Sequence, residues 1–536
     1  MEKLKRYDLN CNIFDVYNYD GLSMQELLCH FYTKIIDCVD FTNSTLDLCE
    51  WLVNEGLKQE VAIKLTNWLN DGTLENVINV TLFENLNKKI DNVSSQLEHI
   101  VTINLEVTNE NDISEDLNNA FLKLNSVGGG ILNIPYNPNG YNVKNGNIVV
   151  SSNTVVNGNN NVFNIPSGKN NKFIFHCQDI SNFTLNNLKL KSILDIETPR
   201  PEDNLYRLSS NVYGICITGE NLNFNNISFD GLESGLWFNK TAMSKNIQCN
   251  NITSIRTNQP LFLKFVQDSK FHNLTFDCSE NQYSDYDHQI YINGSASNIL
   301  FSNLFFTGGS WYPISIKKNS GGDIGNNNLF FNNVHLSHGG IFVSSLTGGL
   351  FSNITSFGKT TPNTLGASIA LYSCKNVTTS NFNIIGEYKY LFEFNSSSDC
   401  SFRNGYSKML NVSNSDGFNI VNSKDISFYD IEMNMINDNG THLVYSATNG
   451  ENELYFKNCK LVSSSKTAQR FISIRGDKDK FIFDSCFFVS SNNELQCCYN
   501  LTPAVVVMKN NILSNFKSIK IDGYDSGTVE YDNVLI

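Results

Sequence analysis

The sequence predicts a mainly β protein built around a right-handed parallel β-helix, with an α-helical region ahead of it. The main observation is a repeated phrase, in which an apolar residue, any residue and Asn precede an apolar residue, any residue and an apolar residue, as in FNNISF and FSNLFF. A repeat of this length cannot bury its apolar face alone, so its copies must stack and share one core. The copies start 20 to 39 residues apart, at Leu185, Phe224, Cys249, Phe271, Phe301, Phe331, Phe351, Thr379, Phe402, Phe428, Phe456 and Phe483.

The second observation is a short run of alternating apolar residues ahead of most copies. Alternation with a period of two is typical of strands, so each coil is expected to hold two or three strands. The copies are rich in Phe, Ile, Val, Thr and Asn, which disfavours leucine-rich and helical solenoids. The runs are LWFNK from Leu236, IYING from Ile290, ISIKK from Ile314, IFVSS from Ile341, FEFNS from Phe392 and ISIRG from Ile472.

The first hundred residues follow a helical period instead. Three apolar-periodic segments between residues 21 and 78 each end at a Gly or an Asn-Asp-Gly stop, which predicts a helical domain over residues 1–80. Apolar residues then recur at steps of three and four from Leu82 to Ile100, which predicts a coiled-coil linker over residues 81–106. The alternative is one amphipathic helix packed on its own domain.

A capping segment is predicted over residues 107–170, ahead of a shaft over residues 171–536. The segment opens with a helix, followed by a triple-Gly turn at Gly128, a strand and a turn with Pro. The helix is expected to cover the open end of the solenoid, whose first rung would otherwise expose unpaired backbone groups. Its apolar stripe consists of Leu117, Ala120, Phe121 and Leu124.

Charge and composition exclude several partners. The net charge of -14 and the pI near 5.1 argue against a nucleic-acid partner, because phosphate neutralisation needs clustered Lys and Arg. The sequence has no stretch of 18 apolar residues and its opening residues lack the signal-peptide pattern, so we expect cytoplasmic synthesis without membrane insertion. The 14 cysteines lack CxxC pairs, and inward positions such as Cys249 and Cys459 predict reduced structural thiols.

The segment over residues 112–165 resembles the opening of the pectate-lyase-like superfamily. Its short helix, GGG turn, apolar strand, Pro turn and SNTVVNG strand pair carry the likeness. Together with the repeats, the resemblance covers about four-fifths of the chain and implies a parallel β-helix.

The block over residues 48–91, LCEWLVNEGLKQEVAIKLTNWLNDGTLENVINVTLFENLNKKID, resembles the attachment region of tail-spike and preneck-appendage proteins of short-tailed phages that infect Gram-positive bacteria. The resemblance implies a homotrimer on the virion tail, docked to tail or connector proteins through the helical region. It also implies a β-helix that binds or degrades wall polymers such as teichoic acid. Some relatives carry a C-terminal self-cleaving chaperone domain, whereas here the last residues still carry the repeat phrase.

Long steps between phrases mark insertions at residues 195–210, 277–288 and 308–328. Loops on a rigid scaffold often carry binding groups, and coils stack roughly 4.8 Å apart, so these insertions are expected to wall one groove. Flat rings suit sugar faces and cations suit phosphate or carboxylate. The predicted substrate-binding residues of this groove are Trp237, Lys264, Tyr291, Trp311, Tyr312, Lys317 and Arg200, beside Ser315.

The acids near the groove predict catalysis by one of two routes. Two carboxylates could perform acid and base work on a glycosidic bond, or His288 could act as a base in phosphodiester cleavage. No metal site is predicted and no cofactor is required, with a divalent cation such as calcium as the alternative. The candidate catalytic residues are Glu233, Asp285, Asp287, His288 and Asp230.

Structural roles compete with these assignments. Asp230 is open to a role as a turn residue capping backbone amides. For the run SDYDH over residues 284–288, the alternative is a solvated loop. For Trp237 and Trp311, the alternative to a ligand platform is burial in the core. His335 and His338 are interpreted as turn residues.

The favoured hypothesis is a phage tail spike or appendage that binds, and also cleaves, a host teichoic acid or surface polysaccharide. The second hypothesis is a non-catalytic adhesin with the same fold. The third is a bacterial polysaccharide lyase, which the missing signal-peptide pattern and the helical adaptor disfavour.

Overall fold

The computed structural model describes residues 100–168, 172–193, 196–199, 206–238, 243–278, 288–308, 312–318, 325–359, 366–410, 416–436, 442–446, 451–464, 470–474, 476, 478–491, 493, 496–500, 504–517 and 528–536. The chain divides into two compact units, Met1–Ile100 and Val101–Ile536. The helical domain predicted over residues 1–80 and most of the predicted linker lie outside the described residues. No helix among the described residues is long and apolar enough to span a membrane.

The second unit is a parallel β-helix, as the repeat predicts. One helix, α1 (Ser114–Ser126), lies among the described residues of this unit. The strands are β1 (Thr102–Asn104), β2 (Gly130–Asn133), β3 (Tyr141–Asn142), β4 (Thr154–Asn164), β5 (Lys172–Lys191), β6 (Ile196–Pro199), β7 (Tyr206–Ser209), β8 (Val212–Asp230), β9 (Ser234–Phe238), β10 (Ser244–Ile255), β11 (Gln259–Cys278), β12 (Ile290–Gly308), β13 (Ile314–Lys317), β14 (Asn326–Leu336), β15 (Ile341–Ser344), β16 (Leu346–Lys359), β17 (Ala367–Tyr372), β18 (Lys375–Glu387), β19 (Tyr390–Asn395), β20 (Ser398–Leu410), β21 (Asp416–Val421), β22 (Lys424–Ile436), β23 (His442–Ser446), β24 (Glu453–Lys457), β25 (Lys460–Ser463), β26 (Arg470–Ile474), β27 (Lys480–Asp484), β28 (Phe487–Ser490), β29 (Gln496–Asn500), β30 (Val505–Lys509), β31 (Ile512–Ser514), β32 (Thr528–Tyr531) and β33 (Val534–Leu535).

The repeat phrase sets the register of the stack. Strand pairing places the first residues of successive copies opposite one another, for example Phe271 opposite Phe301 and Phe301 opposite Phe331. Their rings stack inside the coil with centroids 5.0 Å and 4.5 Å apart in these two pairs. A second stack runs from Phe402 to Phe483. The predicted shared core is therefore confirmed. The first residue of each of these phrases points inward and forms one column of that core.

The Asn of the phrase forms a one-residue corner between two strand segments. Asn226, Asn273, Asn303 and Asn333 have φ angles between 55° and 58°, in the left-handed region that Asn tolerates better than other residues with a side chain. Their side-chain amides form a ladder along the outside of the stack. Asn303 Nδ2 donates to Asn273 Oδ1 at 2.9 Å, and Asn333 Nδ2 donates to Asn303 Oδ1 at 2.9 Å.

Another corner is sealed by buried side chains that satisfy backbone amides of the preceding rung. The backbone N–H of Ser397 donates to Ser423 Oγ at 3.2 Å, and that of Ser423 donates to Asn452 Oδ1 at 2.9 Å. The N–H of Asn452 in turn donates to Asp479 Oδ1 at 2.9 Å. Burial raises the pKa of the Asp479 carboxyl, although hydrogen bonds to the carboxylate oppose that rise. The stack therefore closes without leaving these backbone groups unpaired.

The capping segment begins earlier than its predicted boundary. Strand β1 pairs in parallel with β2, with Thr102 opposite Ile131, so residues 102–104 of the predicted 81–106 linker belong to the β-helix. The predicted stripe of α1, with Leu117 and Phe121 among its residues, is buried. A Cβ at Gly129 would overlap the Asn153 carbonyl, which explains a glycine in this turn.

Strands β6 and β7 form a two-stranded antiparallel hairpin within the insertion at residues 195–210, where the sequence predicted a loop. None of the cysteines whose side chains are described forms a disulfide. Cys249, Cys459 and Cys486 are buried, in agreement with their predicted inward positions.

Replacing Asn303 is expected to separate the two functions of the corner. Asn303→Ala loses the amide ladder and places a Cβ residue in the left-handed region, which costs about 1–2 kcal/mol. Asn303→Gly loses the ladder but adopts the same φ freely. We expect the Ala variant to melt at a lower temperature than the Gly variant, and both below the wild type, in thermal unfolding of the full chain. Equal melting of the two variants would contradict the backbone argument.

Candidate functional site

One outward column of side chains runs along the shaft. We call it the outer file; it consists of Trp237, Phe262, Tyr291, Ser315, Phe342, Ala370, Glu393, Asn419, Tyr445 and Ser473, which strand pairing places opposite one another on successive rungs. Neighbours on the same strand, such as Leu236 and Phe238, point into the core and are buried. The alternation of the predicted second-strand runs therefore creates the file.

The first part of the outer file is a chain of aromatic rings. Trp237 stacks on Phe262 with ring centroids 4.4 Å apart, and Phe262 meets Tyr291 edge-on at 5.4 Å. Phe173 and Tyr213 extend the chain toward the N-terminus, each within 6 Å of the Trp237 ring centroid. Trp237 and Tyr291 are partly exposed, so their predicted role as ligand platforms suits their position.

The file then passes the buried side chain of Ser315. The rings of Tyr291 and Phe342 lie on the rungs before and after it, and Lys317 Nζ lies 5.7 Å and 5.6 Å from their respective centroids. Ser315 Oγ has no hydrogen-bond partner among the described residues. Tyr312 lies beside the same group, with its ring centroid 5.4 Å from that of Phe342.

Two of the other predicted binding residues, Lys264 and Tyr312, lie within the described residues. Lys264 lies two residues after Phe262 on the same strand, with Nζ 5.5 Å from the Phe265 ring centroid. Tyr312 accepts a hydrogen bond from the Ala367 backbone N–H at 3.0 Å, which ties two distant coils together. Burial raises the pKa of both Tyr291 and Tyr312. Trp311 and Arg200 lie outside the described residues.

His288 is placed for structure rather than base catalysis. Its Nδ1 donates to the Tyr312 backbone carbonyl at 2.8 Å, and its ring centroid lies 4.9 Å from that of Tyr291. Burial lowers the pKa of His288 from 6.5 to about 3, with a smaller contribution from Lys317 and against the effect of the Tyr312 hydrogen bond. A base with such a pKa has little affinity for a proton at neutral pH.

The contacts of Asp230 favour a structural role, through ion pairs with two cations rather than through the predicted capping of backbone amides. The carboxylate lies 3.1 Å from Lys189 Nζ and also pairs with the Arg256 guanidinium. Burial alone would raise the pKa of Asp230, but the hydrogen bonds and charges of Arg256 and Lys189 hold it below its usual range. An acid held in its charged form by two cations is a poor proton donor.

Glu233 is buried at the turn before β9, where its Oε2 accepts a hydrogen bond from Asn258 Nδ2 at 2.9 Å. Asp285 and Asp287 lie outside the described residues, so their predicted catalytic role stays a prediction. His338 is buried, and burial lowers its pKa. His335 stacks on Phe305 with centroids 4.6 Å apart.

The structure reveals a second group of polar residues that the sequence reasoning missed. Further along the file, Glu393 Oε1 accepts a hydrogen bond from Asn419 Nδ2 at 3.0 Å, and Tyr372 also bonds to this carboxyl. On the next rung, Asp416 Oδ1 lies 3.2 Å from His442 Nδ1. Aligning FEFNS with LWFNK and IYING would have found Glu393, because it is the second residue of its run, as Trp237 and Tyr291 are of theirs.

The file therefore offers aromatic rings and, further along, the Glu393 carboxyl, with the cation of Lys317 and the carboxylate of Asp416 beside it. No group of three or more His, Cys, Asp or Glu side chains suited to a metal ion occurs in the part of the chain that the structure describes. These features define the class of protein as a parallel β-helix with an aromatic, cation-bearing outer face.

The sequence matches no family model and no curated protein sequence. Among solved structures, the chain is similar to tailspike protein 3 of bacteriophage CBA120, with 11% identity and a TM-score of 0.42, covering 80% of this chain and 63% of that one. This chain therefore spans less than two thirds of that tailspike.

Two further solved structures are similar to this chain. One is a mutant tailspike of E. coli bacteriophage HK620 in complex with a hexasaccharide, at 11% identity, TM-score 0.39 and coverage of 82% and 79% of the two chains. The other is the A-module of the Azotobacter vinelandii mannuronan C-5 epimerase AlgE6, at 10% identity, TM-score 0.35 and coverage of 81% and 99%. At these identities the likeness is one of coil architecture alone.

His288 makes stability depend on pH. The unfolded chain binds a proton below pH 6.5, whereas the folded chain binds it only near pH 3, so the stability present above pH 6.5 is lost as the pH falls toward 3. Between these values the effect is about tenfold in the unfolding equilibrium constant per pH unit. Chemical unfolding at pH 7 and pH 5 should show a smaller loss for His288→Gln than for the wild type. The exposed His272→Gln serves as the control, and an unchanged pH dependence in His288→Gln would refute the assignment.

Asp230→Asn tests the structural role of that carboxylate. The neutral amide leaves Lys189 and Arg256 side by side, so we expect a loss of about 1–2 kcal/mol, reduced by the partial exposure of both cations. Glu432→Gln, which removes the exposed ion pair with Lys460, should cost less. Thermal unfolding compares the two variants. Equal melting temperatures would show that the Asp230 pair adds nothing beyond a surface ion pair.

Proposed function

We propose that this chain is a phage tail spike whose outer file binds a polymer on the host cell surface. The observation that carries the proposal is the unbroken contact of rings along Phe173, Tyr213, Trp237, Phe262 and Tyr291. Phe262 is buried and supports its neighbours, whereas the other four rings are partly exposed and provide platforms for successive sugars. A polymer would therefore lie along the shaft rather than across it.

Cations beside the outer file support an anionic polymer. Lys317 lies over the rings of Tyr291 and Phe342, and Lys264 lies on the same strand as Phe262. The chain as a whole is acidic, with a net charge of -14, so cations beside the rings select locally for phosphate or carboxylate groups against an overall repulsion. A wall teichoic acid and an acidic polysaccharide share this chemistry, and both are within the proposal.

The virion part of the proposal draws on the sequence. The block over residues 48–91 resembles the attachment regions of tail spikes and preneck appendages, and the apolar seam from Leu82 to Ile100 suits self-association. We therefore propose a homotrimer on the virion tail, bound to tail or connector proteins through residues 1–80. Sugar-chain recognition would then serve adsorption to the cell.

A non-catalytic adhesin is the second candidate function. It is favoured by the contacts of His288 and Asp230, since both of these predicted catalytic residues are committed to structural partners. The two candidates share one binding surface, and they differ in whether bound polymer is cleaved.

Polymer binding by the full chain tests the proposal. The probes are a glucosylated glycerol-phosphate teichoic acid, polymannuronate, polygalacturonate and neutral dextran, compared by affinity electrophoresis. Binding to an anionic polymer is expected, and Trp237→Ala should weaken it roughly tenfold through the lost ring contact. Lys317→Gln should weaken it most at low salt.

Matched controls lie on another face of the shaft. Tyr429→Ala removes a ring that contacts Arg403, and Lys457→Gln removes an exposed cation. Neither should change binding by more than about twofold, because neither residue belongs to the outer file. Binding of no anionic probe, or equal losses in the control variants, would remove the outer file as the receptor site.

A further inference from the structure

The outer file leads from its rings into a cluster of titratable side chains. The Phe342 ring centroid lies 5.2 Å from that of Tyr372, and Tyr372 bonds to the Glu393 carboxyl. We call this set the carboxylate cluster; it consists of Tyr372, Tyr390, Glu393, Asp416 and His442. The rings and the cluster therefore form one continuous surface.

The two acids of the cluster lie on adjacent rungs. Register places Tyr390 opposite Asp416 and Glu393 opposite Asn419. Three residues along a strand and one rung across give a Cα separation of about 11 Å between Glu393 and Asp416. Both acids raise the pKa of Tyr390 to about 12, after burial, which places its ring within reach of both charges. A Cα separation of this size allows the two carboxyl groups to lie about 6.5–9.5 Å apart, the spacing that admits a glycosidic bond and an attacking water.

The two acids have different partners. Asp416 Oδ1 accepts the backbone N–H of His442 at 3.1 Å and lies 3.2 Å from His442 Nδ1, so donors on the next rung surround its charged form. Glu393 receives the Asn419 amide at 3.0 Å and the Tyr372 hydroxyl, both from neighbouring side chains rather than from a backbone amide. Such unequal settings are the arrangement by which two carboxyl groups take opposite roles.

Buried hydroxyl groups flank the cluster within the same file. Ser315 lies before it and Ser473 after it, each between inward-facing Ile residues of its own strand. Both Oγ atoms are fully buried and have no hydrogen-bond partner among the described residues. A polymer along the file would therefore contact the larger neighbouring side chains rather than these buried hydroxyls.

We propose that Glu393 and Asp416 hydrolyse a glycosidic bond of the polymer held along the outer file, with Glu393 as the general acid and Asp416 as the base. The inference rests on the proposed function, because it requires that polymer on that surface. It moves the chemistry away from the predicted acids at residues 230–287 and toward the later rungs.

The reaction balances with water as the second substrate. Asp416 accepts one proton from the attacking water, and the oxygen of that water forms a bond to the anomeric carbon. The bond from that carbon to the bridging oxygen breaks, and the bridging oxygen takes the proton from Glu393. One new reducing end and one alcohol form, and proton exchange with solvent restores both acids.

The electrostatic setting of Glu393 suits a proton donor. Burial raises its pKa, while hydrogen bonds from Tyr372 and Asn419 and the charge of Lys389 oppose the rise. The titratable and charged groups that interact with Glu393 are Tyr312, Tyr372, Lys389 and Tyr390, and Asp416 lies opposite Tyr390 on the next rung. A raised pKa extends the protonated form toward neutral pH, so turnover is expected to fall on the alkaline side as Glu393 loses its proton.

Glu393→Gln tests the acid with little change of shape. With the anionic probe that the wild type binds best, reducing ends should appear with the wild type and at least about a hundredfold more slowly with Glu393→Gln. Binding should stay within about threefold, because the rings and Lys317 are intact. Asp416→Asn is the second variant and should act in the same direction. Glu432→Gln, an exposed acid on another face, should cleave as the wild type does.

The outcomes of this experiment distinguish a failure of the proposed hydrolysis from a failure of the proposed polymer binding. Binding by the wild type without reducing ends overturns the hydrolysis and leaves the tail-spike proposal standing. Full turnover by a folded Glu393→Gln overturns the assignment of the acid, and an unsaturated sugar end in the product would replace hydrolysis by elimination. Absence of binding to every anionic probe removes the proposed function, and this inference falls with it.

Discussion

The asparagine corner is the constraint on which the rest of the structure depends. A single residue in the left-handed region turns the chain between two strand segments, and its amide bonds to the same residue one rung away. Because every coil turns at the same point, the apolar residues before and after the corner fall into columns. Stacked Phe rings inside and a regular file outside are both consequences of that registration.

The regularity of the corners also decides what the outer face can do. Insertions change the length of a coil, from 20 to 39 residues between phrases, without shifting the columns. Residues far apart in sequence, such as Trp237 and Glu393, therefore lie on one line of side chains. The scaffold keeps that line in register, and the residue types along it supply the chemistry.

Much of this architecture could be predicted because the repeat is periodic. The phrase identified the inward column residue by residue, and the alternating runs placed Trp237, Tyr291 and Lys317 on one face. Periodicity says nothing of insertions, so the hairpin of β6 and β7 was expected as a loop. It also says nothing of partners reached across a corner, and for this reason the contacts of Asp230 with Arg256 and of His288 with the Tyr312 carbonyl were not foreseen.

The candidate site was harder to predict than the fold. Acids were sought in the insertions, where loops commonly carry function, whereas Glu393 lies inside a regular strand between buried Phe392 and Phe394. A charged residue there reads as an ordinary outward position unless the runs are aligned with one another. Alignment reveals it, since the same position carries Trp, Tyr and Phe in other coils.

The fixed pitch of the coils has a consequence for how a long chain would be processed. Six rungs separate Trp237 from Glu393, a distance of about 29 Å at the spacing of paired strands. A polymer bound at the Trp237 indole and cleaved at the Glu393 carboxyl would be cut at a fixed distance from the point where it is bound. Fragment size would then be set by the number of coils between the two residues, and adding or removing one whole coil would change it by a single step.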